Sequence, residues 1–149
     1  MAAEMPSAYR RDHGSGWATT APLAGLRILL TDRGPASRMW MRASLEGAGC
    51  TVQAVPDGRG AVEAAAEGWF FDLLVADLDL PTMGGVALVG AVRLVRPWLP
   101  VVVITALPAG EWTAALHDRC EAPVVLLRKP ASAADLLGAV ASAWAGRHR

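Results

Sequence analysis

Lysine is almost absent from this chain of 149 residues, which contains one lysine, Lys129, against thirteen arginines. Basic and acidic side chains number 14 each, so no net charge attracts the chain to nucleic acid or to an anionic membrane. No run reaches the roughly 18 consecutive apolar residues that a membrane-spanning helix needs, and the first residues lack the apolar core of a signal peptide. These absences predict a cytoplasmic protein that binds neither nucleic acid nor membrane directly.

Cysteine is also scarce, because the chain has only Cys50 and Cys120. The two residues follow no metal-ligand spacing, and a reducing cytoplasm disfavours disulfides. Both are therefore predicted to be reduced thiols.

Composition changes near Gly25. Residues 1–25 scatter Gly, Pro, Ser and Thr without hydrophobic periodicity, which predicts a flexible N-terminal tail. Residues 26–146 are long enough for one hydrophobic core and are predicted to form a single domain, followed by a short C-terminal tail at 147–149. No output domain is recognisable, so the domain is expected to act on its own.

From Leu26 onward, short apolar runs alternate with longer amphipathic stretches. The apolar runs predict five strands, at Leu26–Thr31, Thr51–Val55, Leu73–Ala76, Val101–Thr105 and Val124–Leu127. The amphipathic stretches predict five helices, at Pro35–Ala48, Gly60–Glu67, Val86–Val95, Ala109–Asp118 and from Ser132, as N-cap, to about Ala145. This alternation, with near-continuous hydrophobic strands, predicts an α/β fold with helices on both faces of a doubly wound parallel sheet.

Polar residues follow four of the predicted strands. In open parallel sheets, ligands and chemistry collect beyond the carboxyl ends of the strands. The residues at those ends are Asp32, Arg33, Asp77, Thr105, Ala106, Arg128 and Lys129. Two carboxylates, a hydroxyl and the only ammonium side chain are therefore predicted to meet at one edge of the sheet.

Four stretches of the chain, in order, resemble the receiver domain of two-component response regulators over roughly Leu26 to Trp144. They are "ILLTDRGP", "PDGRGAVEAAAEGWFFDLLVADLDLPTMGG", "VVVITA" and "LLRKP". The resemblance implies a flavodoxin-like, or CheY-like, fold with a five-stranded parallel sheet in the order 2-1-3-4-5. It also implies a signalling protein rather than an enzyme, which acts by binding a downstream protein whose identity the sequence leaves unknown.

The resemblance assigns roles to the polar residues at the edge of the sheet. Asp77 would accept a phosphoryl group from a histidine kinase or a histidine phosphotransfer protein. Thr105, Ala106 and Lys129 would contact that group, and the Lys129–Pro130 bond would be cis. Mg²⁺ would be held by Asp32, Asp77 and the backbone carbonyl of Asp79.

Three positions depart from the pattern of the family, of which Gly84, in place of a frequent acidic or amide residue, is expected to matter little. Arg33 replaces an expected acidic ligand of the metal, and arginine supplies hydrogen-bond donors only. Mg²⁺ binding is therefore predicted to be weak or absent, with the Arg33 cation beside Asp32 and Asp77; the alternative is an arginine that points into solvent. At the switch position, Leu126 replaces a usual aromatic residue, which puts the coupling of the site to the surface in doubt.

Three functions stay open on the sequence. The first is a phosphorylated receiver, and the second is a phosphorylation-independent pseudo-receiver that serves as an interaction module. The third is an aspartate-nucleophile phosphatase, because Asp77 and Asp79 form a DxD pair; in that class, however, the pair follows the first strand. The face of the helix predicted at Ala109–Asp118, the fifth strand and the last helix is expected to bind a partner or form a homodimer, with Trp112 and Trp144 as candidate anchors.

Overall fold

A computed structural model of the protein describes residues 23–68, 70–81, 83–108, 116 and 124–147. The strands are β1 Arg27–Thr31, β2 Thr51–Val55, β3 Leu73–Asp77, β4 Val101–Thr105 and β5 Val124–Arg128. The helices are α1 Pro35–Gly47, α2 Gly58–Ala66, α3 Gly85–Val95 and α4 Ala133–Ala145. Apart from Leu116, the helix predicted at Ala109–Asp118 lies outside the described residues, as do Trp112 and Cys120.

The five strands form one parallel sheet in the order β2-β1-β3-β4-β5, which confirms the predicted topology. The register pairs Thr31 of β1 with Ala76 of β3, and Asp77 of β3 with Ile104 of β4. The carboxyl ends of the three central strands therefore lie side by side at one edge of the sheet.

Both faces of the sheet are buried, and successive strand residues face opposite sides. One core contains Leu30, Val75 and Ile104 and is covered by residues of α1 and α4. The other contains Leu29, Leu74 and Val103 and is covered by residues of α2 and α3. Because helices cover both faces, the strands read as continuous apolar runs rather than alternating ones.

The boundaries of the four described helices agree with the predictions to within two residues. Helix α2 begins at Gly58 because the Asp57 side chain caps it, accepting a hydrogen bond of 2.7 Å from the Gly60 N–H. Helix α4 begins after Ser132, as predicted, and Ser132 and Asp135 cap each other's backbone N–H groups. In the part of the chain that the structure describes, no helix is long and apolar enough to span a bilayer.

The domain begins earlier than composition indicates. Leu23 is buried in the core beneath α1, and the Gly25 N–H donates to the Gly49 carbonyl at 2.9 Å. Residues 23–25, predicted to belong to the tail, therefore pack on the domain. The rest of the predicted tail, residues 1–22, lies outside the described residues.

Candidate acidic site at the carboxyl end of the sheet

Two buried carboxylates share one ammonium group at the carboxyl end of the sheet. Asp32 follows β1 and Asp77 ends β3, and their exposed fractions are 1% and 4%. The Lys129 Nζ donates to Asp32 Oδ2 at 3.1 Å and to Asp77 Oδ2 at 2.7 Å. The structure therefore brings together three residues that are widely separated in sequence, as the strand-end pattern predicts.

The charges of this cluster stabilise one another. Burial acts to lower the pKa of Lys129, but the hydrogen bonds and charges of Asp77 and Asp32 outweigh it and raise the pKa above its ordinary value. Lys129 is therefore a fixed cation at neutral pH. With two ionised carboxylates the cluster carries one net negative charge, which an added phosphoryl group would increase.

Asp32 is held by the loop and helix that follow it. Its Oδ1 accepts the Gly34 N–H at 2.8 Å, and its Oδ2 accepts the Ser37 hydroxyl at 3.1 Å. The Arg38 guanidinium donates to the Asp32 backbone carbonyl at 2.7 Å. Sequence reasoning missed Ser37 and Arg38, although their place in the first turn of α1, directly after β1, was a usable signal.

The residue pair at the mouth of the site is Arg33 and Asp79. The Asp79 N–H donates to Asp77 Oδ1 at 2.9 Å, so Asp79 turns its backbone toward the buried carboxylate. Its own side chain accepts Arg33 Nη1 at 3.4 Å, and both side chains are more than half exposed. The cation that touches both buried carboxylates is thus Lys129, whereas Arg33 pairs with Asp79.

Thr105 ends β4 beside this cluster. It is fully buried, its hydroxyl accepts the Leu107 N–H at 2.9 Å, and its carbonyl accepts the Lys129 N–H at 2.9 Å. Ala106 is exposed and lines a cleft of about 430 Å³, together with Trp40, Pro130, Ser37, Ile104, Lys129 and Ala131. The Lys129–Pro130 bond is cis, as the resemblance to receiver domains implies.

Leu126 lies one layer deeper than the other predicted residues. It is 3% exposed and packs in the core with Val103, Leu74 and Leu116. Arg128, at the end of β5, is exposed. Leu126 is therefore part of the packing below the site, and within the described ranges neither residue hydrogen-bonds to the carboxylate cluster.

The donor atoms fit a tight Mg²⁺ site poorly. Mg²⁺ prefers six oxygen ligands in octahedral geometry. Within residues 23–68, 70–81, 83–108, 116 and 124–147, no three acidic, histidine or cysteine side chains are placed to hold a metal ion. Asp32 and Asp77 both already accept hydrogen bonds from Lys129, and Arg33 next to them offers no lone pair.

Comparisons with known proteins agree with this geometry. Residues 28–141 match the response regulator receiver domain family, and the chain belongs to that family. Receiver domains act in phosphorelay signalling, interact with histidine kinases and downstream effectors, and typically bind Mg²⁺ through acidic residues.

Individual relatives share both sequence and fold. The transcriptional regulatory protein TcrA of Mycobacterium tuberculosis is 37% identical over 84 residues, which cover 56% of this chain and 33% of TcrA. The receiver protein of Sinorhizobium medicae is 28% identical with a TM-score of 0.74, over 85% of this chain and 99% of that one. The chemotaxis protein CheY4 of Vibrio cholerae is 25% identical with a TM-score of 0.74, over 80% and 99% of the two chains. The chain thus matches about a third of TcrA but nearly all of the chain in each of the two solved structures.

Proposed function

We propose that this receiver domain is a phosphoacceptor and that Asp77 accepts the phosphoryl group. The observation that carries the proposal is the Asp77 carboxylate, buried at the end of β3 with one oxygen 2.7 Å from the Lys129 ammonium. A second buried carboxylate and the Thr105 hydroxyl lie at the same edge. Burying charged groups costs free energy, and an aspartate with a purely structural role does not require such a cluster of buried charges.

The transfer needs little from the protein beyond positioning and charge neutralisation. A carboxylate oxygen of Asp77 attacks the phosphorus of a phosphohistidine, an O–P bond forms, and the N–P bond breaks. The imidazole leaves with the electron pair of that bond and takes a proton from solvent. Lys129 offsets the negative charge that collects on the phosphoryl oxygens, while Thr105 and Ala106 border the space in which those oxygens would lie.

The donor of the phosphoryl group in this proposal is a histidine kinase or a histidine phosphotransfer protein, as is general for the family. The product is an acyl phosphate, which hydrolyses readily and makes the signal reversible. The domain would act by binding a downstream protein in the cytoplasm and would not turn over a substrate as an enzyme does. The pairing of Asp79 with Arg33 supports this view, since a phosphatase would need Asp79 as a free proton donor.

Metal dependence is proposed to be weak in this receiver. Lys129 already bridges both carboxylates, and Arg33 stands where a further ligand would be needed. Both features reduce the free energy gained when a divalent cation binds, because the site already contains fixed positive charge. The departure at Arg33 favours the second candidate function, a pseudo-receiver that binds partners without being phosphorylated.

Labelling with acetyl phosphate distinguishes the candidates. Intact-mass measurement should show one added phosphoryl group on the natural protein and none on Asp77→Asn. Asp79→Asn is the matched control, because Asp79 is an aspartate two residues away that is exposed and should remain dispensable. The measurement should be made with and without Mg²⁺, and the label should be removed by mild base.

Each alternative has its own outcome. Labelling that persists in Asp77→Asn would remove Asp77 as the acceptor. A natural protein that takes no label from acetyl phosphate or from a phosphorylated histidine phosphotransfer protein would be a pseudo-receiver. Sustained release of phosphate from an aryl phosphate, lost in Asp79→Asn, would instead identify a phosphatase.

A further inference from the structure

A groove of about 410 Å³ lies at the end of the sheet where the strands begin, opposite the end that carries Asp77. The segments that meet there precede β3 and β4 and follow α3 and α4. Its lining includes Val95, Arg96, Trp98, Pro100, Trp144 and Arg147. With five residues in β3 and about 3.3 Å per residue, the groove is roughly 16 Å from the carboxylate cluster and forms a separate surface.

Arginine side chains lie on aromatic rings along this surface. The Arg96 guanidinium is 5.0 Å from the centroid of Phe70 and 5.1 Å from that of Phe71. Arg27 is 5.6 Å from the Phe70 centroid on the same patch, and Arg147 is 3.9 Å from the centroid of Trp144. Stacking of this kind fixes the guanidinium planes. Arg147 Nη1 also donates to the Trp144 carbonyl at 2.6 Å, and the remaining guanidinium N–H groups are able to donate to a partner.

The positive charge of the patch is only partly balanced by a carboxylate. Across the described ranges, Arg27, Arg96 and Arg147 have no ion pair. Asp72 is the one acidic residue among the described residues that line the groove, and it accepts the backbone N–H of Arg27 at 2.9 Å. Counted over the described residues alone, the patch therefore carries an excess of two positive charges on a chain with no net charge.

Large apolar side chains are exposed around these arginines. The exposed fractions are 53% for Phe70, 86% for Leu94, 64% for Val95 and 43% for Trp98. The loop that carries Trp98 is held in place, since the buried Arg93 guanidinium donates to the Leu99 carbonyl at 2.7 and 3.2 Å. Exposed apolar groups on a fixed backbone, flanked by arginine, are typical of an interaction surface.

We propose that this arginine–aromatic surface binds an acidic peptide segment of a partner protein, with an aromatic or large aliphatic side chain seated in the groove. Charge complementarity selects this occupant. Residues 1–22 of the chain contain two acidic residues and two arginines and offer no net negative charge. A second copy placed symmetrically on the same patch would oppose arginine to arginine.

Fluorescence anisotropy with a synthetic peptide tests the proposal on the full chain. The probe is a fluorescein-labelled peptide of aspartate and glutamate around one tryptophan, compared with the same peptide in which glycine replaces tryptophan and with a lysine version. We expect the acidic tryptophan peptide to bind most tightly and to weaken with added salt. Arg96→Glu should weaken it by about tenfold or more.

Arg59→Glu is the matched control. It makes the same charge change on the exposed start of α2, at the carboxyl end of the sheet and away from the groove. It should leave peptide affinity nearly unchanged. Arg147→Glu serves as a second variant should Arg96→Glu lose its fold, as judged by circular dichroism. Acetyl phosphate labelling should be normal in all three variants, since the surface is independent of Asp77.

Three results would overturn the proposal. The first is no binding of the acidic tryptophan peptide by the natural protein, and the second is an equal loss in Arg59→Glu and Arg96→Glu. The third is a concentration-dependent dimer in sedimentation that Arg96→Glu dissociates, which would assign the surface to a second copy of the chain.

Discussion

The two cations at the acidic site have different roles because their surroundings differ. Lys129 is mostly buried and contacts two carboxylates, so its charge acts in a medium of low dielectric constant. Arg33 makes one exposed pair with Asp79, and such a pair contributes about 0–1 kcal/mol to stability. Arg33 therefore affects which ions can enter the site more than it affects the stability of the site.

Arg33→Asp is expected to strengthen Mg²⁺ binding by about tenfold or more, because it changes the local charge by two units and adds a carboxylate ligand. Calorimetric titration of the natural protein and the variant measures the change. Arg59→Asp, on the exposed start of α2, controls for the change in total charge. Equal Mg²⁺ affinity in the natural protein and Arg33→Asp would show that Arg33 does not weaken the metal site.

Among the elements, the junction between β3 and α3 determines where Asp77 lies. Helix α3 begins at Gly85, whose N–H donates to the Leu78 carbonyl at 3.0 Å. A Cβ atom at Gly85 would lie 2.6 Å from both the Asp77 carbonyl oxygen and the Leu78 Cα. This closeness allows the helix to start directly against the strand end, and only glycine permits it.

Gly85→Ala is expected to lower the free energy of unfolding by about 2–3 kcal/mol, since the backbone at Asp77 must move away from the new methyl group. Labelling at Asp77 should slow in the same variant. Gly84→Ala is the matched control, because its Cβ would find no atom closer than 3.9 Å and should cost about 1 kcal/mol at most. Chemical denaturation compares the two, and equal stability would mean that the close contact at Gly85 is not limiting.

At the scale of the whole molecule, the five-residue strands, buried between the two cores, separate the acidic end of the sheet from the arginine–aromatic end. Few groups titrate in the alkaline range, because the chain has one lysine, one tyrosine and two cysteines. Two of these groups are coupled to folding. Burial raises the pKa of the Cys50 thiol to about 11, and Lys129 is held protonated by its two carboxylates.

Stability is therefore expected to fall as pH rises from about 8.5 toward 11. Both groups have a higher pKa in the folded chain, so the folded state keeps protons that the unfolded state loses, and unfolding becomes easier as pH rises. The part due to Cys50 is on the order of 2 kcal/mol. Urea denaturation at successive pH values measures the slope.

Cys50→Ala should be less stable at pH 7, because it leaves a small cavity, yet its stability should depend less on pH between about 8.5 and 10. An identical pH slope in the natural protein and Cys50→Ala would rule out the thiol as its source. A decline that continues above about pH 10 in both proteins is expected from Lys129.

Local sequence determined much of this protein. Apolar runs and their spacing predicted the strands, their order of connection and the α/β class, since burial of both faces of a parallel sheet leaves little choice of residue. The same pattern placed Asp32, Asp77, Thr105 and Lys129 at one edge, because the carboxyl ends of parallel strands are adjacent. Roles for these residues came from the resemblance to receivers.

Tertiary structure decided the contacts between side chains that are distant in sequence. The sequence predicted both Lys129 and Arg33 beside the carboxylates, whereas the fold keeps Lys129, 97 residues from Asp32, in contact with them and pairs Arg33 with Asp79. The arginine–aromatic surface was not recognised at all, because Arg96 meets Phe70 only once β3 and α3 are packed. Which partner a long, flexible side chain takes depends on the three-dimensional positions of all its neighbours, and a local pattern of residues does not contain that information.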